Sequence, residues 1–228
     1  MSPPPVPCAV VFDLDGLMVD SETVFEAAAT RLLARRGRTL APEVFAFMLG
    51  RPARPGFAFF REYYGFAESV DDLIAEGRDL FFAVIGDGLV PLMPGVTELL
   101  AAVERRGLPA AIATSSSRAY MERVVAPHGL LPRFRFALTG DDVSQGKPCP
   151  EIYQKAAARL GVDPGEMVVL EDSLNGLRAA KAAGARCFVV PHALIAREEL
   201  AAADAVLPSL AAPELYVLLG LTDSGKHL

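Results

Sequence analysis

The chain has 228 residues, and its 22 lysines and arginines against 28 aspartates and glutamates give a formal net charge of −6 at pH 7. This charge, with no cluster of basic residues, argues against nucleic acid or an anionic membrane as the main partner. Because 52% of the residues are apolar, a chain of this length can bury a full core without metal or disulfide staples.

Cysteine usage and the start of the chain favour a protein of the cytoplasm. The three cysteines, Cys8, Cys149 and Cys187, lie far apart and lack the paired spacing of zinc sites or disulfide frameworks. Residues 1–7 hold no basic segment followed by a long apolar one, so we expect no secretory signal. No apolar run has transmembrane length. The sequence therefore predicts a cytoplasmic protein without a membrane partner.

Short apolar runs alternate with helical patterns over most of the chain. The runs that we interpret as strands are 8–12, 109–114, 136–139, 167–170, 187–190 and 205–207. Short apolar strands are typical of a parallel sheet with helices on both faces, and their alternation with helices indicates repeated βαβ units. The predicted fold class is therefore α/β, a Rossmann-like doubly wound parallel sheet.

Residues 19–91 interrupt this alternation. Helices are predicted over 21–36, 42–49, 57–64 and 70–85, with no strand pattern between them. We therefore divide the chain into a Rossmann-like catalytic core, residues 1–18 and 92–228, and an inserted all-helical cap domain, residues 19–91. Because the insertion directly follows the first strand, we expect it over the carboxyl end of that strand, where open α/β sheets bind ligands.

Two acidic pairs follow two of the predicted strands. Asp13 and Asp15 follow the first strand, and residues two apart in an extended chain point the same way. Glu171 and Asp172 directly follow the run 167–170. Since parallel strands bring their carboxyl ends to one edge of a sheet, the four carboxylates are expected to converge. Such an oxygen-rich site suits Mg²⁺.

Hydroxyl and cationic groups are predicted at the same edge. Thr114 ends the strand over 109–114, and Ser115 follows it ahead of a helix, where hydroxyl and backbone N–H groups can bind an anion. Lys147 stands between Gly146 and Pro148. As one of only four lysines in the chain, it is a candidate for neutralising acids and phosphate.

The order of these motifs resembles that of the haloacid dehalogenase-like hydrolase superfamily. The matching stretches are Asp13-Leu14-Asp15-Gly16, Thr114, Lys147-Pro148 and Glu171-Asp172-Ser173. The resemblance covers nearly the whole chain. With its helical insertion, the chain is similar to the branch that holds β-phosphoglucomutase and small sugar-phosphate or phosphoglycolate phosphatases.

The resemblance implies a role for each matched residue. Asp13 would be the nucleophile that forms an aspartyl phosphate, and Asp15 the general acid and base. Mg²⁺ would be held by the Asp13 carboxylate, the Asp15 backbone carbonyl and Asp172, with Glu171 as a further ligand or a support. The residues that would bind the transferring phosphoryl group are Thr114, Ser115 and Lys147.

Residues of the insertion are expected to contact the substrate. By the same resemblance, these are Glu22, Gly50, Arg51 and Arg54. Phe25 stands where mutases of the branch carry a histidine that helps to hold back hydrolysis, so the resemblance favours a phosphatase. A phosphosugar mutase is the alternative function.

Two further functions fit the sequence less well. Metal-independent 2-haloacid hydrolysis uses one nucleophilic aspartate, which leaves the second acid, Asp15, without a role. A signalling receiver that is phosphorylated on aspartate is a smaller single domain without the insertion. The expected partner is a small phosphorylated metabolite of the sugar-phosphate or phosphoglycolate type. The sequence leaves its identity and the oligomeric state open.

Overall fold

The structure is a computed structural model of the chain, and it describes residues 6–49, 51–86, 89–191 and 195–222. Its contacts divide the chain into two compact units. Unit 1 comprises Met1–Met18 and Leu92–Leu228, and unit 2 comprises Val19–Pro91. Unit 2 is one continuous segment inserted between the two parts of unit 1.

The described residues of unit 2 form four helices: α1 (Ser21–Ala34), α2 (Pro42–Met48), α3 (Ala53–Tyr64) and α4 (Val70–Ile85). Helix α4 packs against α1 and α3. Gly77 permits the close approach of α3, because a Cβ there would lie 2.7 Å from the Phe57 ring. Helix α3 begins at Ala53 rather than at the predicted residue 57. Pro52 and Pro55 suit its start, since backbone N–H groups of a first turn have no partner within the helix.

The described part of unit 1 is built on a sheet of six parallel strands in the order β3-β2-β1-β4-β5-β6. The strands are β1 (Ala9–Phe12), β2 (Ala110–Ala113), β3 (Ala137–Leu138), β4 (Met167–Glu171), β5 (Arg186–Val189) and β6 (Ala205–Val206). Every residue of β1 and β2 is buried, which explains their unbroken apolar runs.

Helices follow most of the strands of unit 1. They are α5 (Val96–Arg105), α6 (Arg118–Val125), α7 (Glu151–Leu160), α8 (Leu174–Ala182) and α9 (Pro213–Leu218). Ile152 of α7 and Leu177 of α8 share one buried cluster with Val11 and Val169 of the sheet. The predicted doubly wound α/β sheet is confirmed. Within the described chain, no helix combines the length and apolar character needed to span a membrane.

The strand order brings three strand ends together. β1 pairs with β2 on one side and with β4 on the other. After β3 the chain returns past β1 to form β4, so the winding direction changes between β1 and β4. In open α/β sheets, ligands bind at the carboxyl ends of the strands beside such a switch point.

Candidate active site

The sheet fixes the backbone of the first acidic residue and of the predicted threonine. The N–H of Asp13 donates to the Leu170 carbonyl at 2.9 Å, which continues the pairing of β1 with β4. The N–H of Thr114 donates to the Leu138 carbonyl at 3.0 Å at the end of β2. Beyond Asp15, Gly16 turns the chain with a φ of 76°, a left-handed conformation that glycine adopts without strain.

Lys147 joins the ends of three strands. Its ammonium donates to Asp13 Oδ1 at 2.5 Å, to the Ala113 carbonyl at 3.0 Å and to Glu171 Oε1 at 2.6 Å. An ammonium group has three donors, so these bonds use all of them. Lys147 is 5% exposed. Lys147 was singled out because the chain has few lysines and because this one stands between glycine and proline. In the structure it lies among the predicted acidic residues.

Glu171 is fully buried and its oxygens are densely bonded. Besides the lysine, Oε1 accepts from the Tyr153 hydroxyl at 2.5 Å. Oε2 accepts from the N–H groups of Asp172 and Ser173, both at 3.2 Å, and from the Ser173 hydroxyl at 3.0 Å. Gly176 leaves room for this carboxylate, because a Cβ there would lie 1.8 Å from the Glu171 carboxyl carbon. These contacts hold Glu171 in one orientation.

Burial and neighbouring charges act in opposite directions on the pKa values of this cluster. Burial raises the pKa of Asp13 to about 7, with Glu171 adding to the effect and Lys147 opposing it. Burial also disfavours the charge of Glu171, but the Lys147 ammonium outweighs it and lowers the pKa of Glu171. For Lys147, burial is outweighed by the two carboxylates, so its pKa lies above the usual value.

The acidic cluster fits a divalent cation. One carboxylate oxygen each from Asp13, Glu171 and Asp172 lies within 4.8 Å of the others, and all three residues are buried. Taken with the single Lys147 ammonium, the four side chains leave two negative charges when ionised. Oxygen ligands and this charge suit Mg²⁺. A cation there would also favour the ionised form of Asp13, which burial opposes.

The Asp15 carboxylate is not one of the three that form this cluster, and it contacts hydroxyl groups. Its Oδ1 accepts from the Tyr120 hydroxyl at 2.8 Å. Its Oδ2 accepts from the Ser116 hydroxyl at 2.6 Å and from the Thr114 hydroxyl at 3.4 Å. Tyr120 is absent from the residues singled out in the sequence, because an isolated tyrosine on a helix gives no motif. The two aspartates of the first motif therefore have different partners.

The segment after β2 is partly committed to internal bonds. The Thr114 hydroxyl accepts from the Ser116 N–H at 3.0 Å, so this N–H already has a partner. Ser117 accepts from the Tyr120 N–H as the N-cap of α6. Ser115, between Thr114 and Ser116 in the sequence, is exposed. Of the predicted phosphate-binding residues, Thr114 thus lies beside Asp15 and Lys147 beside Asp13.

The substrate residues predicted in the insertion belong to unit 2. Glu22 lies in the first turn of α1. The guanidinium of Arg51 lies 4.2 Å from the centre of the Phe47 ring, and Arg54 forms an ion pair with Asp71. Gly50 lies outside the described residues. Substrate contact by these residues stays a prediction.

Comparison with known proteins gives a consistent result for most of the chain. The family model described as haloacid dehalogenase-like hydrolase matches residues 9–184. A validoxylamine A 7'-phosphate phosphatase from Streptomyces hygroscopicus subsp. limoneus is 35% identical over 206 residues, covering 88% of this chain and 92% of the relative. A probable pseudouridine-5'-phosphatase from Drosophila melanogaster is 33% identical over 221 residues, covering 93% and 95%.

A solved structure agrees with this similarity. The crystal structure of CbbY from Rhodobacter sphaeroides in complex with phosphate matches with a TM-score of 0.79 and 32% sequence identity. The match covers 90% of this chain and 96% of that protein. It therefore includes both units.

Proposed function

The chain belongs to the haloacid dehalogenase-like hydrolase family, and on this basis we propose that it is a Mg²⁺-dependent phosphatase that hydrolyses a small phosphorylated metabolite through an aspartyl phosphate. The family predicted from the motifs is confirmed. The observation that carries the proposal is the buried cluster of Asp13, Glu171 and Asp172 with the Lys147 ammonium.

In the first half-reaction, a carboxylate oxygen of Asp13 attacks phosphorus and the bond between phosphorus and the leaving oxygen breaks. Asp15 donates a proton to that oxygen, so that an alcohol leaves. We expect Lys147 and Thr114 to bind the phosphoryl oxygens, Lys147 by exchanging one of its three present hydrogen bonds for one to the phosphoryl group. Fixed donors at this position stabilise the charge of the transition state.

In the second half-reaction, water attacks the phosphorus of the aspartyl phosphate. Asp15, now ionised, takes a proton from that water, and the bond between phosphorus and Asp13 breaks. Inorganic phosphate leaves, and Asp13 is a carboxylate again. The reaction consumes one water and returns both aspartates to their starting state.

Mg²⁺ would be held by Asp13, Asp172 and the Asp15 backbone carbonyl. When bound, it supplies positive charge that offsets repulsion between the carboxylate and the phosphate. The oxygens of Glu171 accept five hydrogen bonds from protein groups. We therefore assign Glu171 the task of orienting Lys147 and the backbone after β4, with direct metal binding as its secondary role.

A phosphatase fits the chain better than a mutase does. Phe25 replaces the histidine that the resemblance associates with mutase function, and its ring packs 4.5 Å from that of Phe81. An apolar ring has no hydrogen-bonding group with which to replace that histidine in holding back hydrolysis. Halide hydrolysis without metal would use Asp13 as the nucleophile but would leave Asp172 of the buried cluster without a cation to hold.

The proposed substrate is a small phosphorylated metabolite. The two curated relatives are named for phosphatases of chemically different phosphate esters. This supports a shared phosphoryl-transfer site and substrate selection elsewhere, and we propose unit 2 as the cap that selects it. The three cysteines are free thiols, which supports a reducing compartment such as the cytoplasm.

Phosphate release from a panel of sugar phosphates, phosphoglycolate and nucleoside monophosphates tests the proposal. Turnover is expected with Mg²⁺, with loss in EDTA and in Asp13→Asn. Asp163→Asn, an aspartate outside the site, is the matched control and should keep its activity. Halide release from 2-haloacids, without hydrolysis of any phosphate ester, would overturn the proposal.

A further inference from the structure

The acid and base of the proposed reaction is bound by neutral groups. Both oxygens of Asp15 accept hydrogen bonds from hydroxyls, the shorter ones being Ser116 at 2.6 Å and Tyr120 at 2.8 Å. Asp13, two residues earlier, accepts instead from the Lys147 ammonium. The chain therefore provides two kinds of partner for two carboxylates that lie close in sequence.

Hydroxyl and ammonium partners differ in what they permit. An ammonium group only donates, so it favours the ionised carboxylate. A hydroxyl both donates and accepts, so it can donate to a carboxylate and accept from a carboxylic acid. Asp15 must pass between these two states in each turnover of the proposed mechanism. Hydroxyl partners can keep its orientation in both.

Tyr120 is well placed to fix the direction of Asp15. Its hydroxyl bonds to Oδ1, whereas Ser116 and Thr114 both bond to Oδ2. Hydrogen bonds at both oxygens fix the rotation of the carboxylate plane, whereas hydrogen bonds at only one oxygen leave that rotation free. The backbone of Tyr120 is part of α6, whose N-cap is Ser117. The hydroxyl thus reaches Asp15 from an ordered helix.

We propose that Tyr120 is a positioning residue for the acid–base chemistry. Its hydroxyl holds Oδ1 of Asp15 in the same orientation in both half-reactions. This inference rests on the proposed function. Removing the hydroxyl leaves Asp15 present but free to rotate about its bonds to Ser116 and Thr114. Steps that transfer a proton should slow, while steps that need none should not.

Leaving groups separate these two kinds of step. kcat/KM reports the reaction up to formation of the aspartyl phosphate. With an alkyl phosphate this step needs a proton from Asp15; with p-nitrophenyl phosphate it does not, because p-nitrophenolate leaves unprotonated. Dephosphorylation needs Asp15 as base for either substrate. Loss of positioning therefore predicts an effect that depends on the substrate.

The test is Tyr120→Phe with p-nitrophenyl phosphate and the alkyl phosphate of highest kcat/KM in the panel above. We expect kcat/KM to fall about tenfold or more for the alkyl phosphate, the effect of losing one hydrogen bond to a charged group. For p-nitrophenyl phosphate it should change less than about threefold on the same scale. Because dephosphorylation slows, a pre-steady-state burst of p-nitrophenolate should appear.

The ratio of the two kcat/KM values decides the outcome even if the variant is partly unfolded, because the concentration of active enzyme cancels. Tyr216→Phe, a change of the same kind on α9, should leave the ratio at the wild-type value. An unchanged ratio in Tyr120→Phe overturns the inference. Asp13→Asn must abolish turnover of both substrates; if it does not, the proposed function itself fails.

Discussion

Asp13 and Glu171 depend on a single buried cation. Lys147 bonds to both carboxylates, and each of the three residues is less than a tenth exposed. Burying charges is unfavourable unless each has a partner, so removing the central one exposes the others to the full effect of burial. The lysine is therefore expected to matter for stability as well as for phosphate binding.

Lys147→Met should lower the free energy of unfolding and abolish phosphate release. Breaking a buried ion pair by removing one partner typically destabilises by about 3 to 5 kcal/mol. Urea denaturation in EDTA measures the change without contribution from a bound cation. Lys181→Met is the control, because its ammonium pairs with Asp204 where both side chains are about a third exposed. Equal destabilisation by the two changes would contradict the central role of Lys147.

Gly176→Ala should disturb the site through Glu171. The new methyl group would occupy the position of the Glu171 carboxylate, 1.8 Å from its carboxyl carbon. Glu171 must then move away from Ser173 and Lys147, and overpacking of this kind typically destabilises by about 1 to 3 kcal/mol. Gly165→Ala is the control, since the nearest atom to its Cβ lies 4.0 Å away. Thermal melting and phosphate release of the two variants give the comparison.

Strands and helices differ in how far the sequence determines them. The runs that lead to Asp13, Thr114 and Glu171 are apolar because β1, β2 and β4 are covered on both faces. The positions of these strands could therefore be predicted from unbroken apolar runs in the sequence. The prediction that α3 begins at residue 57 is wrong, because Pro52 and Pro55 resemble helix breakers in the sequence but lie at the start of the helix, where proline is tolerated. The contact of Tyr120 with Asp15 joins residues 105 positions apart, which no local pattern encodes.

Helix α7 begins with a residue that organises the segment before Lys147. The Glu151 carboxylate accepts from the Ser144 hydroxyl at 2.6 Å and from the Gln145 N–H at 3.0 Å. It also pairs with Lys155 at 2.6 Å, one turn along the helix. These bonds, with Lys155 the largest contributor, lower the pKa of Glu151 from 4.5 to about 2.

Glu151→Gln should reduce stability at neutral pH and have little effect in acid. A carboxylate with a lowered folded-state pKa stabilises the fold fully above its unfolded pKa, near 4.5, and loses this contribution as pH falls towards 2. The difference in unfolding free energy between wild type and variant should therefore shrink from pH 7 to pH 3. Urea denaturation at these values measures it. A difference that is the same at both values would contradict the assignment.

At the scale of the whole molecule, family membership and fold could be inferred from the sequence. The motifs follow the strands β1, β2 and β4 in a fixed order, and these strands end at one edge of the sheet. The roles of Glu22, Arg51 and Arg54 could not, since substrate contact depends on features beyond the sequence pattern. Inside unit 2, Arg51 and Arg54 contact Phe47 and Asp71. The sequence alone does not distinguish an arginine that pairs within its own unit from one that binds a ligand.

Mg²⁺ should stabilise the folded protein as a whole. A cation that binds only the folded state contributes about 2.7 kcal/mol at 100 times its Kd. At roughly 2 to 4 °C per kcal/mol for a chain of this size, the melting temperature should rise by several degrees. Thermal melts at matched chloride concentration test this. Asp172→Ala should lose the shift and Asp79→Ala, an exposed residue of unit 2, should keep it; no shift in wild type would contradict the metal site.

The most direct test of the account is to find the phosphoryl group on the protein. Turnover of p-nitrophenyl phosphate is quenched in acid, and peptides spanning Asp13 and Asp15 are sequenced by mass spectrometry. We predict a phosphoryl group on Asp13, more abundant in Asp15→Asn, in which dephosphorylation lacks its base. Asp13→Asn should show none. A phosphoryl group on any other residue, or none on Asp15→Asn while it still releases p-nitrophenolate, would contradict Asp13 as the nucleophile.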